Sequence, residues 1–534
     1  MRLGRCWFRR WRTHPSGFDS RAFYSPARRL WAFGPWALDW RPSIGGLAVL
    51  LAGCTVGPKY ETPTTPAADI FKEATPTDYQ IAGVWRPARP SDAVGRGAWW
   101  KIFGDPELDR LEDEVTASNQ NLKVAEARFR QARALIGFQR AAEFPTISAG
   151  VSTASTRESA NTPYFGVQNV RPEGQLQLPF DLSYEIDLWG QIHRMVSAAR
   201  EEAQATAADL ETMRLSLHAE LALDYIELRS ADAQQRLLDD TVKAYTDALR
   251  LTRNRLEGGY APGSDVAQAQ TQLATTLVQD TDIGVMRAQF EHAIAVLIGK
   301  PPAAFSLPPK PLDLRPPPIA PGIPSELLQQ RPDIAAAERR VAEANDQIGI
   351  AKAAYYPSLN FNAMSGFEGN NGANWFVWPS LFWAVGTSLT QPLFDGGRLH
   401  AQSRQVQAAY DAAVATYRQT TLSAFQDVED NLAALRILDR EARQQRDAVV
   451  AAQNSLRLFT DRYAGGEDTY LNVITAQTFA LTNQRNDVDI LRRRMEASIR
   501  LVKALGGDWN AADLPPLKEK GLPPNSIVPT PDPR

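Results

Sequence analysis

The sequence repeats itself over a long period. Residues Asn121 to Pro145 reappear at Asp333 to Pro357, with Glu126 matching Glu338, Ala132 matching Ala344 and Ile136-Gly137 matching Ile348-Gly349, a shift of about 212 residues. A later stretch repeats at a shift of about 207, where Gly190 matches Gly397, His193 matches His400, Arg255 matches Arg462, Gly258-Gly259 match Gly465-Gly466 and Ile298-Gly299 match Leu505-Gly506. The difference falls between Pro145 and Gly190, so a loop of variable length is expected there. Solenoid units run roughly 20 to 50 residues, so a unit this large must itself contain several elements. Each copy reads as helix, two strands, long helix, turn, helix.

The long helix is the extreme element. Gly397 to Gly465 contains no proline and is rich in Ala, Gln, Arg and Glu. Its Val449, Ala452, Leu456, Phe459 and Tyr463 recur at three- and four-residue steps, as do Leu238, Val242, Tyr245, Leu249 and Leu256 in the first copy. At 1.5 Å per residue such a helix rises on the order of 100 Å, taller than any compact domain. Its narrow, alanine-rich stripe predicts a coiled-coil seam.

The strands read by alternation. Leu176, Leu178, Phe180, Leu182, Tyr184 and Ile186 keep period two, as do Leu381, Trp383, Val385, Thr387 and Leu389, with weaker partners near Ile147 to Val151 and Leu359 to Ala363. Four strands of roughly ten residues match the span of a membrane β-barrel. Tyr164, Phe165, Trp375, Phe376, Trp378 and Trp383, in or near the hairpin loops, would suit an interfacial aromatic girdle. Two ordinary hairpins of a soluble sheet would show the same alternation and are the default reading of the strands alone; the N-terminus shifts the balance towards the barrel.

Residues Ile44 to Cys54 form a short apolar run ending Leu51-Ala52-Gly53-Cys54, preceded by Arg41. This pattern predicts a secretory signal over residues 1–53 with a lipobox, lipid being carried by the thiol of Cys54. The first forty residues are long and aromatic for a signal n-region, so translation is expected to start further in, near Leu30. Of the two cysteines, only Cys54 would survive cleavage, leaving packing and assembly to stabilise an exported chain without disulfides. A formal net charge of −3 gives no basic footprint for nucleic acid. No run of 18 or more apolar residues predicts a spanning helix.

Four strands cannot close a barrel, and an open sheet edge in lipid leaves backbone groups unpaired. Several copies must therefore share one barrel. Two chains would supply 8 strands and three would supply 12, both allowed numbers. The long helices would continue the wall beyond the membrane as a hollow duct.

The start CTVGPKYETP, the segments from Ala98 to Leu122, Gln330 to Asn345 and Ala354 to Leu359, the junctions DLWGQIHR and LFDGGRLH, and Arg462 to Gln477 together resemble the TolC-like outer membrane factor family, specifically its lipoprotein branch. The resemblance covers nearly all of the mature chain. It implies a mainly α fold with membrane β strands, in which a homotrimer forms a 12-stranded β-barrel continued by a long α-helical barrel, with a mixed equatorial domain. The implied role is the exit duct of a tripartite efflux pump for small toxic compounds such as drugs, docked to a periplasmic adaptor and, through it, to an inner-membrane RND-type transporter. Thr55 after the cysteine resembles the sorting pattern for the outer membrane, whose lipid is the expected neighbour of Cys54. The expected organisation is a lipidated segment 54–104, a first repeat 105–299, a proline-rich linker 300–324, a second repeat 325–508 and a tail 509–534.

Within that picture the helix-turn-helix tips Arg255 to Val266 and Arg462 to Val473 would lie at the periplasmic end. There Gly258, Gly259, Gly465 and Gly466 would reverse the chain and expose backbone to an adaptor, and the same glycines are helix caps in any case. Asp461, Arg462 and Tyr463, repeated around an axis, would set rings of charge and aromatic bulk at a closed gate, although a solvated helix end explains them as well. Relatives carry acidic residues where this chain has Asn472 and Thr475, so no acidic ring is expected there.

His193 and His400 have no Cys, His or carboxylate cluster at ligand spacing, so neither metal nor cofactor is expected. No phosphate-binding glycine loop, nucleophile elbow or zinc-protease motif supports an enzyme. The rival readings are a duct for type I protein secretion and, from another class, a periplasmic adaptor lipoprotein. The adaptor normally has one hairpin flanked by small β-domains.

Overall fold

The computed structural model describes residues 56–65, 71–73, 98–157, 159, 173–310, 312–317, 319 and 331–507. Cys54, Tyr164, Phe165 and the tail 509–534 lie outside the described residues.

After a short 3-10 turn at Trp99–Phe103, the chain forms α1 (Pro106–Ser118) and α2 (Gln120–Arg140). An edge strand follows in two pieces, β1 (Thr146–Ala149) and β2 (Ser152–Thr156), and then β3 (Glu173–Ile186), α3 (Gln191–Glu257) and α4 (Gly263–Leu297). Beyond the linker come α5 (Pro332–Ala353), β4 (Ser358–Gly369), β5 (Leu381–Thr390), α6 (Arg398–Gly465) and α7 (Tyr470–Ala504). The order helix, strand, strand, long helix, helix thus occurs twice. The two long helices have 67 and 68 residues, and each is followed by one of 35.

Local chemistry sets the boundaries. The Asp105 carboxylate accepts from the Glu107 amide at 2.9 Å and Pro106 takes the first helical position, which starts α1. α3 and α6 both begin after a left-handed glycine, Gly190 (φ 77°) and Gly397 (φ 87°). Asp187 and Asp395 accept from their first-turn amides. The expected single strand near Ile147 to Val151 is broken at Gly150, whose amide bonds the Pro179 carbonyl at 3.1 Å. Pro179 brings no ladder donor, and a Cβ on Gly366 opposite it would stand 2.1 Å from the Leu178 carbonyl oxygen, so only glycine fits this close approach of the two strands.

The helices pack into two main cores. Trp99, Trp100, Phe103, Leu108, Leu111, Val115, Tyr225, Ile226 and Ile499 bring α1, α3 and α7 together. Phe71, Ile334, Val341, Tyr417, Val428 and Leu501 unite α5, α6 and α7. The upper half of α3 is buried over more than a narrow stripe, because α2 and α5 both pack on it. Its lower half keeps the expected seam through Leu238, Tyr245 and Leu249, but Leu256 is exposed and Thr252 is buried instead.

The linker is no free spacer. Arg229 donates to the Pro308 carbonyl and Asp232 at 2.9 Å, and Arg287 donates to Asp232 at 2.7 Å and to the Leu307 carbonyl at 2.6 Å. Glu291 accepts the Leu307 amide at 2.6 Å, and Leu307 itself is buried in the first core. Each buried charge is paired, as desolvation requires.

Within that core Glu112 is fully buried, 2.6 Å from Nδ1 of His218, whose ring stacks on Trp100 and lies 3.3 Å from the Thr116 hydroxyl. Burial raises the Glu112 carboxyl well above its usual 4.5 and lowers His218 from 6.5 to about 4, aided by Arg214. Burial thus favours the uncharged form of both groups. The Glu112 contribution is complete below its unfolded pKa and is lost as pH rises; the His218 contribution is complete above 6.5 and is lost as pH falls towards 4. The slopes oppose each other above 4.5, and wherever the folded Glu112 still holds its proton beyond 6.5 its slope acts alone. Stability should therefore decline with rising pH by at most about 1.4 kcal/mol per unit. Glu112→Gln is expected to flatten that limb in thermal unfolding of the detergent-solubilised protein. A mutant slope equal to wild type would show that the pair is not its source.

Candidate functional site

Two regions can serve a channel, the sheet at one end of the helices and the tips at the other. β3 pairs with β4 from Leu176↔Gly369 to Ile186↔Leu359, and β4 pairs with β5 from Ser358↔Thr390 to Phe367↔Leu381, all antiparallel. The sheet therefore joins the hairpin of one repeat to that of the other. Its order is β1-β3-β4-β5, with β2 also on β3, and it is open at both edges.

Residues directly opposite share a face, and faces alternate along each strand. The register places Ile147, Leu178, Phe180, Leu182, Tyr184, Ile186, Leu359, Phe361, Ala363, Phe367, Leu381, Trp383, Val385 and Leu389 on one side. Gln177, Asp181, Ser183, Glu185, Asn360, Asn362, Glu368 and Ser388 lie on the other, which also holds Met364, Phe382 and Ala384. Among the described residues no layer covers the apolar side: Trp383 is 72% and Leu389 66% exposed. A soluble sheet would bury that face, whereas apolar-out and polar-in is the pattern of a membrane barrel wall. In the β4–β5 loop Trp375 stacks on Phe376 with ring centroids 4.6 Å apart, and Trp378 is exposed.

At the far end the α3–α4 and α6–α7 turns share one geometry. The Tyr260 amide bonds the Arg255 carbonyl at 2.7 Å and the Gly259 amide bonds Leu256 at 3.0 Å; the Glu467 amide bonds Arg462 at 2.9 Å and the Gly466 amide bonds Tyr463 at 3.0 Å. Only the second glycine of each pair adopts positive φ, 75° at Gly259 and 81° at Gly466, so Gly258 and Gly465 do not supply the reversal.

The two tips are packed together by Tyr463. Its ring is 3% exposed, lies 5.1 Å from that of Tyr470, and joins Leu249, Ala269 and Val473 in a small core. The Arg255 guanidinium sits 4.8 Å above the Tyr463 ring and donates to the Ala464 carbonyl at 2.9 Å. The Tyr463 hydroxyl donates to Asp265 at 3.4 Å across the gap between hairpins. Burial raises both phenols, that of Tyr470 to about 12. The three expected gate residues separate here: Tyr463 is buried, while Asp461 pairs with Arg457 at 3.6 Å and Arg462 with Asp468 at 3.5 Å near the surface. Arg255 and Asp265 were not singled out from the sequence as acting on Tyr463, although the Arg255–Arg462 repeat match marked the position.

His193 and His400 are exposed. Among the described residues no three His, Cys, Asp or Glu side chains gather at metal-binding distance, and no helix is long and apolar enough to cross a membrane.

Residues 111–300 and 323–507 match the family model described as outer membrane efflux protein, in two stretches that follow the two repeats. The chain is 31% identical over 475 residues to the toluene efflux pump outer membrane protein TtgF of Pseudomonas putida, covering 88% of this chain and 97% of that one. It is 32% identical to the pyoverdine export outer membrane protein OpmQ of Pseudomonas aeruginosa, over 84% of this chain and 94% of that one. Among solved structures it superposes on the outer-membrane channel OprN with a TM-score of 0.78 at 28% identity, covering 85% of this chain and all of that chain. It also superposes on the Campylobacter jejuni CmeC channel with a TM-score of 0.80 at 22% identity, covering 86% and 96%, a likeness of fold. With an open sheet that is mainly apolar on one face at one end, paired helical hairpins at the other and the family model spanning both repeats, the chain belongs to the outer membrane efflux protein family.

Proposed function

We propose that this protein is the outer-membrane exit duct of a tripartite efflux pump, three copies closing one 12-stranded barrel through which small toxic compounds leave the periplasm. The observation that carries the reading is the uncovered sheet, apolar on one side, polar on the other and open at both edges. In hydrocarbon each unpaired edge N–H or C=O costs several kcal/mol, so β1 and β2 of one copy must meet β5 of the next.

The helices support the same contact. α5 lies between α3 and α6 and buries Ile334, Val341, Ile348 and several alanines. Its repeat counterpart α2 packs on α3, buries only Leu122 and leaves Val124, Leu135 and Phe138 exposed. The missing neighbour of α2 is the α6 of another copy. Segment 54–104 and linker 300–324 would then build the equatorial ring around repeats 105–299 and 325–508, with residues 1–53 removed and Cys54 lipidated.

The tips would dock a periplasmic adaptor serving an RND-type transporter, through Gly258, Gly259, Gly465 and Gly466. Relatives named for toluene, pyoverdine and antibiotics favour small molecules over protein as cargo. Their match over most of the chain also leaves the adaptor-lipoprotein alternative unsupported. Asp461 and Arg462 would line the closed mouth, and Tyr463 would act behind them by fixing one hairpin to the other.

Two outcomes are expected. Native mass measurement of the detergent-extracted outer-membrane protein should give a trimer, and a monomer would break the strand-closure argument. Replacing Arg462 and Tyr463 together with Ala should loosen the tip, since truncating a buried aromatic side chain costs about 3 to 5 kcal/mol locally. Single-channel conductance and antibiotic uptake should both rise, and unchanged values in a folded trimer would exclude this gate.

A further inference from the structure

The first described residues, Val56 to Pro58, sit in a built cleft where the sheet passes into the helices. Arg194, on the first turn of α3 and 8% exposed, reaches them with most of its donors. Nε bonds the Val56 carbonyl at 2.9 Å, Nη2 bonds the Pro58 carbonyl at 3.1 Å, and Nη1 bonds Asp346 on α5 at 2.8 Å. The Val56 amide in turn donates to the Trp189 carbonyl at 3.0 Å, and Asn345 donates to the Pro58 carbonyl at 3.4 Å.

Two glycines make room. A Cβ on Gly349 would stand 2.2 Å from Cδ of Arg194, and one on Gly57 (φ 124°) would stand 2.7 Å from the Gly349 Cα. Beside the cleft Trp189 stacks on Tyr356 at 4.7 Å and donates to the Pro357 carbonyl at 2.8 Å.

The repeat did not copy this cleft. The counterparts of Arg194 and Asp346 are Ala401 and Ala134, and a Cβ on Gly137, the counterpart of Gly349, would meet nothing within 4 Å. The site therefore exists once per chain, for a segment that occurs once per chain. Beyond Pro58 the segment runs on as a strap: Tyr60 bonds Glu338, Arg418 donates to the Thr64 carbonyl at 3.2 Å, and Glu429 accepts the Lys72 and Glu73 amides at 2.7 and 2.9 Å.

We infer that Trp189, Arg194, Asp346 and Gly349 form a receptor for Val56–Pro58 that fixes the height of a lipid-modified N-terminus at the base of the sheet. Two residues of chain span at most about 7 Å, so a lipid carried two positions before Val56 is tethered within that reach of the receptor. Arg194 is a positioning residue whose planar fork sets three separate nitrogens against two carbonyls and a carboxylate, a spread that the single nitrogen of a lysine does not match. The lipid part rests on the proposed lipidation of Cys54; the receptor does not.

Limited trypsin digestion of the detergent-solubilised assembly, followed by mass measurement of the released peptide ending at Lys59, separates the two. Release from wild type should be slow. Arg194→Lys and Arg194→Gln should speed it about tenfold or more, and Gly349→Val should do so from the opposite wall with Arg194 intact. Arg418→Ala, lower on the strap, should leave it unchanged. Protection that survives substitution of either Arg194 or Gly349, in an assembly that keeps its native mass, overturns the receptor. Protection with a peptide free of acyl mass upholds the receptor and removes lipidation instead.

Discussion

A sheet one layer thick has no core, and the rest of this molecule follows from that. Its strands carry mainly apolar residues on one face and mainly polar residues on the other, yet among the described residues no helix covers either side. In water such a sheet would expose Phe180, Trp383, Val385 and Leu389 together, a patch that soluble monomers rarely tolerate. In a bilayer the same face is solvated by lipid, and the cost moves to the two edges. Self-association then becomes a condition of insertion, and the helices beneath must be arranged so that neighbouring copies meet at the correct register.

The helices meet that condition through unequal packing of the two repeats. α3 is enclosed by α1, α2, α4, α5 and α7, whereas α6 packs mainly on α5 and α7, with the Phe71–Glu73 stretch against its middle and α3 and α4 touching it at the tip. Stability within one chain therefore concentrates around α3, where the buried Arg229–Asp232–Arg287 network ties down the linker and Glu112–His218 ties down α1. The upper part of α6 and the free face of α2 remain open. Their exposed apolar residues, among them Leu422, Leu135 and Phe138, match what a chain completed by its neighbours would show.

Much of this was legible because periodicity is a local signal. The doubled element order, the proline-free helix ending at Gly465 and the alternation from Leu176 to Ile186 all appear in the structure close to where the sequence placed them. The misses have physical reasons. The break at Gly150 arises from Pro179 on the neighbouring strand, a non-local cause that no pattern around Ile147 to Val151 carries. α1 was not read as a separate helix, although Asp105-Pro106 is a start signal that local reading could have used. Leu256 fits the stripe by count, but the turn after Glu257 removes its partner and Arg255 takes over the contact with the other hairpin. The Arg194 cleft was invisible because it joins residues about 140 and 155 positions apart, and Gly349 looked like nothing more than a repeat match.

The tips show why repetition alone does not make a gate. Both turns use the same capping hydrogen bonds, so as backbone they are interchangeable. The side chains break the equivalence: Arg255 lies over the Tyr463 ring, whereas its repeat partner Arg462 turns to Asp468 on its own hairpin. The α3–α4 hairpin thus reaches across to the α6–α7 hairpin through Arg255 and Asp265, and Tyr463 receives both contacts. The supporting bonds are few, one hydrogen bond is long at 3.4 Å, and the ion pairs around them are exposed and individually weak. That is the energetic character the proposed gate asks of a contact that yields to a partner, in contrast to the densely paired network that fastens the linker at the other end of α4.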